Sequence, residues 1–185
     1  MSAMIEASLK LHKVLETIKV DFPRFYRALN KCAVQFTEEV PRVTIDNQVL
    51  KLNPQWILDT GMHEMRDALL HDALHLLLCH PQRYQKVARW IRGAKAGELF
   101  NVAADLEANC QLDDQGLVLP PHFLLPGIQY EDYDLRAMPW GRTAEEYFGL
   151  LLRQAVENGG LAPPGSPSDE SDCCLEGVDS TENKA

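Results

Sequence analysis

The chain has 185 residues, 45% of them hydrophobic and 24% charged, enough to bury one core with room for a tail, which excludes a multi-domain machine and a wholly disordered chain. Its formal net charge of −9 disfavours a nucleic-acid surface, which needs clustered Lys and Arg, and the same sign disfavours binding to a membrane surface. No apolar run approaches the roughly 20 residues of a membrane span and the amino terminus lacks a signal-type apolar block, so a cytoplasmic chain is expected.

Residues 3–20 place Ile5, Leu9, Leu11, Leu15 and Ile18 at roughly helical spacing, and Phe22-Pro23 interrupts the pattern before a second helix expected over about 23–38. Pro41 ends helical character. Arg42-Val43-Thr44-Ile45 and Val49-Leu50-Lys51-Leu52, separated by Asp46-Asn47-Gln48, read as the strands of a short hairpin. Asn53 as cap and Pro54 at the first position then open a helix expected to run in one or two pieces to about Cys79, with Pro81 as its stop. A further helix is expected over about 97–112, with Leu99, Val102, Ala103, Leu106 and Cys110 as its buried stripe. The segment LVLPPHFLLPG has too many prolines for a central strand, and Thr143 with Glu146 forms a capping-box pattern opening the amphipathic helix TAEEYFGLLLRQAV.

One hairpin among five or six helices predicts a mainly helical α+β domain over residues 1–157. From about Asn158 the composition turns to Gly, Pro, Ser and acids, with Asp169, Glu170, Asp172, Glu176, Asp179 and Glu182 set against Lys184, which predicts a disordered acidic tail or linker over 158–185. Cys32, Cys79, Cys110, Cys173 and Cys174 show no CxxC spacing, so neither a disulfide framework nor a Cys-rich zinc site is expected, and Cys173-Cys174 read as unstructured thiols. Trp56, Trp90 and Trp140 have no interleaved basic patch and read as packing residues.

The segment LLHDALHLLLCH carries the chemistry. His71 and His75 are four apart and lie about 40° from one another on a helix, so two imidazoles can reach one tetrahedral metal, as in HExxH. Asp72 stands where that motif has the Glu that activates water, and it is shorter by one methylene. The third ligand has two candidates. His80 falls about half a turn from His71 on a continuous helix and can ligate only if the helix breaks. Asp105 shares a face with Asn101 and Asn109, and Ala103, Ala104 and Ala108 would let that helix pack closely on the histidines. Asp67, one turn before His71, either accepts from its outer ring nitrogen or pairs with Arg66. Without a metal, the pair would be ordinary histidines of a core helix.

With these residues in order over about 20–152, the chain resembles the family described as a putative metallopeptidase domain, which precedes a von Willebrand factor A-like domain in bacterial proteins associated with MoxR-type AAA+ ATPases. The resemblance rests on Asp21-Phe22-Pro23, Leu52-Asn53-Pro54, LHDALHLLLCHPQR over 70–83, FNVAADLEAN over 100–109 and TAEEY over 143–147. It implies a zincin-like fold binding one zinc per chain through His71, His75 and Asp105, with water in the fourth position. It also implies Asp72 as general base for amide hydrolysis of a peptide or protein substrate, and an A-like domain or AAA+ ATPase as partner. Asp72 replaces the family's Glu, which leaves two readings, a hydrolase working through Asp and a non-catalytic binding module. The acidic tail reads in that setting as a severed or vestigial linker. Residues 68–73 are also similar to the central dyad of HD-type phosphohydrolases, in which His63 would be the upstream ligand and Asp105 the distant acid. The eight residues from His63 to His71 are short for that family, and the hairpin is unexplained by it.

Overall fold

The computed structural model describes residues 3–46, 48–88, 94–130 and 133–159. The expected tail from residue 160 onward, with Cys173 and Cys174, lies outside the described residues, as does Trp90.

Helix α1 (Ala3–Asp21) buries Ala7, Leu11, Val14 and Ile18, spaced at four, three and four residues as one helical stripe. Ile5 and Leu9, expected in that stripe, lie on the outer face and are exposed. Helix α2 (Pro23–Leu29) ends well before residue 38. Ala33–Phe36 forms strand β1 instead, because its backbone groups find a parallel partner in β3 (Val49–Leu52), and that pairing outweighs the local helical pattern. The hairpin is present: β2 (Val43–Asp46) pairs antiparallel with β3, whose Leu50 and Leu52 alternate into the core. The sheet order is β1-β3-β2, so β2 is an edge strand, and Gln48 turns the hairpin with φ 63°, in the left-handed region.

Asn53 caps helix α3 (Pro54–Asp59): its Oδ1 accepts from the N–H of Gln55 at 2.9 Å and of Trp56 at 3.3 Å, while its Nδ2 donates to the Val40 carbonyl at 2.9 Å. Asn53→Ala is therefore expected to cost about 1–2 kcal/mol, read as a lower urea midpoint at unchanged slope. From α1, Lys10 Nζ donates to the carbonyls of Leu58 at 2.9 Å and Thr60 at 2.6 Å, satisfying acceptors at the end of α3. The expected long helix is thus two, α3 and α4 (Met62–Leu77).

Pro81 does not stop α4. The break falls at Leu78-Cys79, with Cys79 at φ 56°, and Pro81 sits in the first turn of α5 (His80–Val87), where a missing N–H costs nothing. Helix α6 (Ala94–Asp114) is longer than expected at both ends, and its predicted stripe is buried throughout. The proline-rich segment forms no named strand, and helix α7 (Ala144–Glu157) opens on the Thr143–Glu146 capping box.

Two apolar clusters result. One joins α1, α2, β3, α3 and α4 with Ala108 and Leu112 of α6; the other joins the opposite face of α6, including Phe100 and Leu106, to Tyr147, Phe148 and Leu151 of α7. Helix α6 is the shared wall, and its polar stripe faces α4 at the seam. Trp56 packs against the first cluster as expected, whereas Trp140 is 45% exposed and its Nε1–H donates to Asp114 Oδ1 at 3.1 Å. Among the described residues no helix is long and apolar enough to cross a membrane.

Candidate metal centre

Helix α4 projects His71 and His75 from successive turns toward α6, which supplies Asp105. The Nε2 atoms of the two histidines stand 3.0 Å apart, and Asp105 Oδ1 lies 3.4 Å from the first and 3.2 Å from the second. Among the described residues these three form the group of His, Cys, Asp and Glu side chains able to share one ion. His63 is exposed on the first turn of α4 and takes no part in it.

The outer hydrogen bonds fix which ring nitrogens face the centre. Asn109 Nδ2 donates to the Leu124 carbonyl at 2.9 Å, so its Oδ1 accepts from His71 Nδ1–H at 2.8 Å, which leaves His71 Nε2 as a lone pair. Glu107 Oε2 accepts from the Ala144 N–H at 2.7 Å and pairs with Arg83 Nη2 at 2.8 Å, so it is ionised and accepts from His80 Nε2–H at 3.1 Å. With His80 neutral, its Nδ1 accepts from His75 Nδ1–H at 3.1 Å, and His75 Nε2 is also a lone pair. With both imidazoles neutral, three acceptors converge here, and a shared cation, either a metal ion or a proton on His71, is what brings them together.

The spacing suits a metal. Ligands held about 2.0–2.1 Å from a tetrahedral ion stand roughly 3.3 Å from each other, close to the three distances observed. Two imidazoles and a carboxylate are the donor set of catalytic zinc sites that keep a fourth position open.

Electrostatics agree. Burial works against a charge on Asp105, but hydrogen bonds from His71 and His75 outweigh it and hold the carboxyl well below its ordinary range. Burial likewise opposes protonation of His71, yet the hydrogen bond and charge of Asp105, with Asp72 and Asn109, raise it above its ordinary value. His75 is lowered, chiefly by burial, with His71 and His80 adding to it and Asp105 opposing. Asp72 is pushed up to about 7 by burial and the nearby Asp105 charge, with His71 opposing, which places a carboxyl near neutrality beside the centre.

Of the residues singled out from sequence, His71, His75 and Asp105 come together, and Asp72 lines the cavity on each side of them. Asp67 does not reach His71: Arg66 Nε donates to it at 2.8 Å, and Asn109 takes the outer position, as its place in the stripe with Asp105 hinted. The helix break that would let His80 ligate does occur, but it turns His80 behind His75, where it supports the ligand ring. Glu107 was missed; a buried acid inside the apolar run of α6 was its only signal.

One cavity of about 470 Å³ lies on the His75 side, between Ile45 of β2 and Tyr84 and Phe100. Another of about 250 Å³ lies on the His71 side, beside Arg42, Val43 and Phe123. Both are walled by Asp72 and Asp105, so the centre sits midway along one trough with β2 as its side.

A family model described as a putative metallopeptidase domain matches residues 6–169, a wider span than the motifs alone cover. No curated protein and no solved structure matches the chain.

Proposed function

The chain belongs to the family described as a putative metallopeptidase domain, and from that membership we propose that it is a zinc-dependent amide hydrolase with a zincin-like core over residues 1–157. The observation that carries the reading is the convergence of His71 Nε2, His75 Nε2 and Asp105 Oδ1 as three acceptors at tetrahedral spacing. A zinc ion held by these three would supply a Lewis acid that polarises a carbonyl and makes water available as a nucleophile near neutral pH.

The remaining work falls to the protein. Asp72, which lines the cavity on each side of the three ligands, would take a proton from the attacking water and return it to the leaving amine nitrogen. Asn109 and His80 hold the two imidazoles in the tautomers that aim Nε2 inward. Among the described residues β2 is an edge strand of the sheet and its residues line the trough, which suits an extended peptide.

One observation favours a second reading, a non-catalytic binding module: the aspartate at position 72 is a methylene shorter than the usual glutamate. Elemental analysis of the purified protein beside His75→Ala tests the metal. About one zinc per chain, absent from the variant, is the expected result. No metal after reconstitution sinks the hydrolase, and two irons or manganeses point to the phosphohydrolase reading. Asp72→Glu then separates the remaining two. If the protein hydrolyses peptides through Asp72, the variant loses rate; a gain from a near-zero baseline marks a module whose base has been lost.

A further inference from the structure

The trough is chemically uneven along its length. On the His75 side its walls mix Ile45, Leu76, Tyr84 and Phe100 with Thr44 and Asn101, and carry no Lys or Arg. On the His71 side the wall ends in a cation, Arg42, the residue before β2. Consecutive residues of one strand thus serve the two ends: Arg42 and Val43 border one cavity, Thr44 and Ile45 the other.

Arg42 is held at that end by its backbone, whose carbonyl accepts from the Asn53 N–H at 2.8 Å. Its guanidinium has one polar contact, from Nη1 to His122 Nε2 at 2.8 Å, and no carboxylate partner among the described residues. Guanidinium only donates, so His122 Nε2 is an acceptor there and its Nδ1 carries the hydrogen. Glu64 acts on His122 through space and makes no ion pair with Arg42.

The segment that carries His122 is held by hydrogen bonds and by a ring contact with α4. The Phe123 N–H closes a turn on the Pro120 carbonyl at 2.9 Å, and the Phe123 ring packs 4.9 Å from that of His71. Tyr130 pins the same segment, donating to the Phe123 carbonyl at 3.0 Å and accepting from the Leu125 N–H at 2.9 Å. Arg42 and His122, both exposed, therefore form a hydrogen-bonded pair with donors to spare, four guanidinium N–H groups and one imidazole N–H, beside a small cavity that opens onto the metal centre.

The geometry points to a carboxylate-binding subsite: Arg42 and His122 read an anionic group of an extended peptide, on the His71 side of the metal ligands. The inference rests on reading the trough as a peptide site. The carboxylate is either an Asp or Glu side chain or the carboxyl terminus of the peptide, since a guanidinium fork accepts both in the same way.

The test is binding of hexapeptides carrying an uncharged BODIPY label to the zinc-loaded full chain, followed by anisotropy. Three peptides share one apolar sequence: one amidated with an internal glutamate, one amidated with glutamine in its place, and the glutamine peptide with a free carboxyl terminus. At least one carboxylate peptide is expected to bind about tenfold more tightly than the neutral one, and which of them does names the source. Arg42→Ala is expected to erase that difference while leaving the neutral peptide within about twofold, and Arg42→Lys to keep part of it. Equal binding of all three by the wild type, or an equal loss for all three in Arg42→Ala, overturns the subsite and leaves the peptide reading standing. No binding by any peptide to protein that holds its zinc overturns both.

Discussion

Replacing Asp105 with alanine is expected to weaken zinc binding about 1000-fold, about 4 kcal/mol, and to remove most of the rise in melting temperature that zinc confers. Asp105 is the one anion among the three converging donors and comes from a different helix than the two histidines. Its removal leaves two neutral imidazoles on one face of α4, with nothing from α6 to complete the set. Because bound metal stabilises the native state by RT ln(1 + [L]/Kd), calorimetry at fixed zinc reads the same loss as isothermal titration. The metal-free protein gives an independent check: the hydrogen bond and charge of Asp105 raise His71, so its titration, followed by ring-proton NMR, is expected to move down in the variant. Asn109→Ala should weaken zinc only about 10–100-fold, since it frees the His71 ring without removing a donor. Unchanged zinc affinity in Asp105→Ala would place the third donor elsewhere, with His80 the residue to replace next.

The pattern of residues legible in the sequence is local, and what escaped it is mostly non-local. Asn53-Pro54 and Thr143 with Glu146 announce their helices because a cap is a contact across two or three residues. The meeting of Asp105 with the histidines was also readable from its polar stripe with Asn101 and Asn109, but of the three alanines expected to make room for α4 only Ala108 packs in its cluster, Ala103 and Ala104 facing the cluster shared with α7. By contrast, β1 replaces the end of a supposed helix because its partner β3 lies further along the chain, and nothing within 30–36 records that pairing. The left-handed Cys79 moves the helix break ahead of Pro81 and so turns His80 from a candidate ligand into a support for His75. Arg42 and His122 are 80 residues apart, and no spacing rule joins them.

Glu107→Gln is the second variant expected to have a large effect, and it separates support of the centre from the centre itself. A single oxygen, Oε2, meets the Ala144 N–H, Arg83 Nη2 and His80 Nε2, so one buried carboxylate on α6 fastens α5 and the start of α7. Arg83 also pairs with Glu145 of α7, which keeps its charge partnered when Glu107 is neutralised. Breaking a buried pair costs about 3–5 kcal/mol; with Arg83 partly exposed and still held by Glu145, about 3 kcal/mol is expected, or roughly 6–12 °C in melting temperature. The pH dependence carries a sign. Burial raises the Glu107 carboxyl, but His80, Arg83 and the Ala144 N–H together bring it down to about 2, below its ordinary 4.5. Its contribution to stability is therefore complete above about pH 4.5 and disappears as the pH falls toward 2. Urea melts of chelator-treated protein should accordingly show the wild type and Glu107→Gln far apart at pH 6 and converging between pH 4.5 and 2. The same variant releases the His80 ring, and with it the tautomer of His75, so zinc affinity should fall about 10–100-fold as in Asn109→Ala. Only Glu107→Gln should pair that fall with a changed acid limb; if the two variants share one pH profile, the carboxylate is not what joins α5 and α7 to the centre.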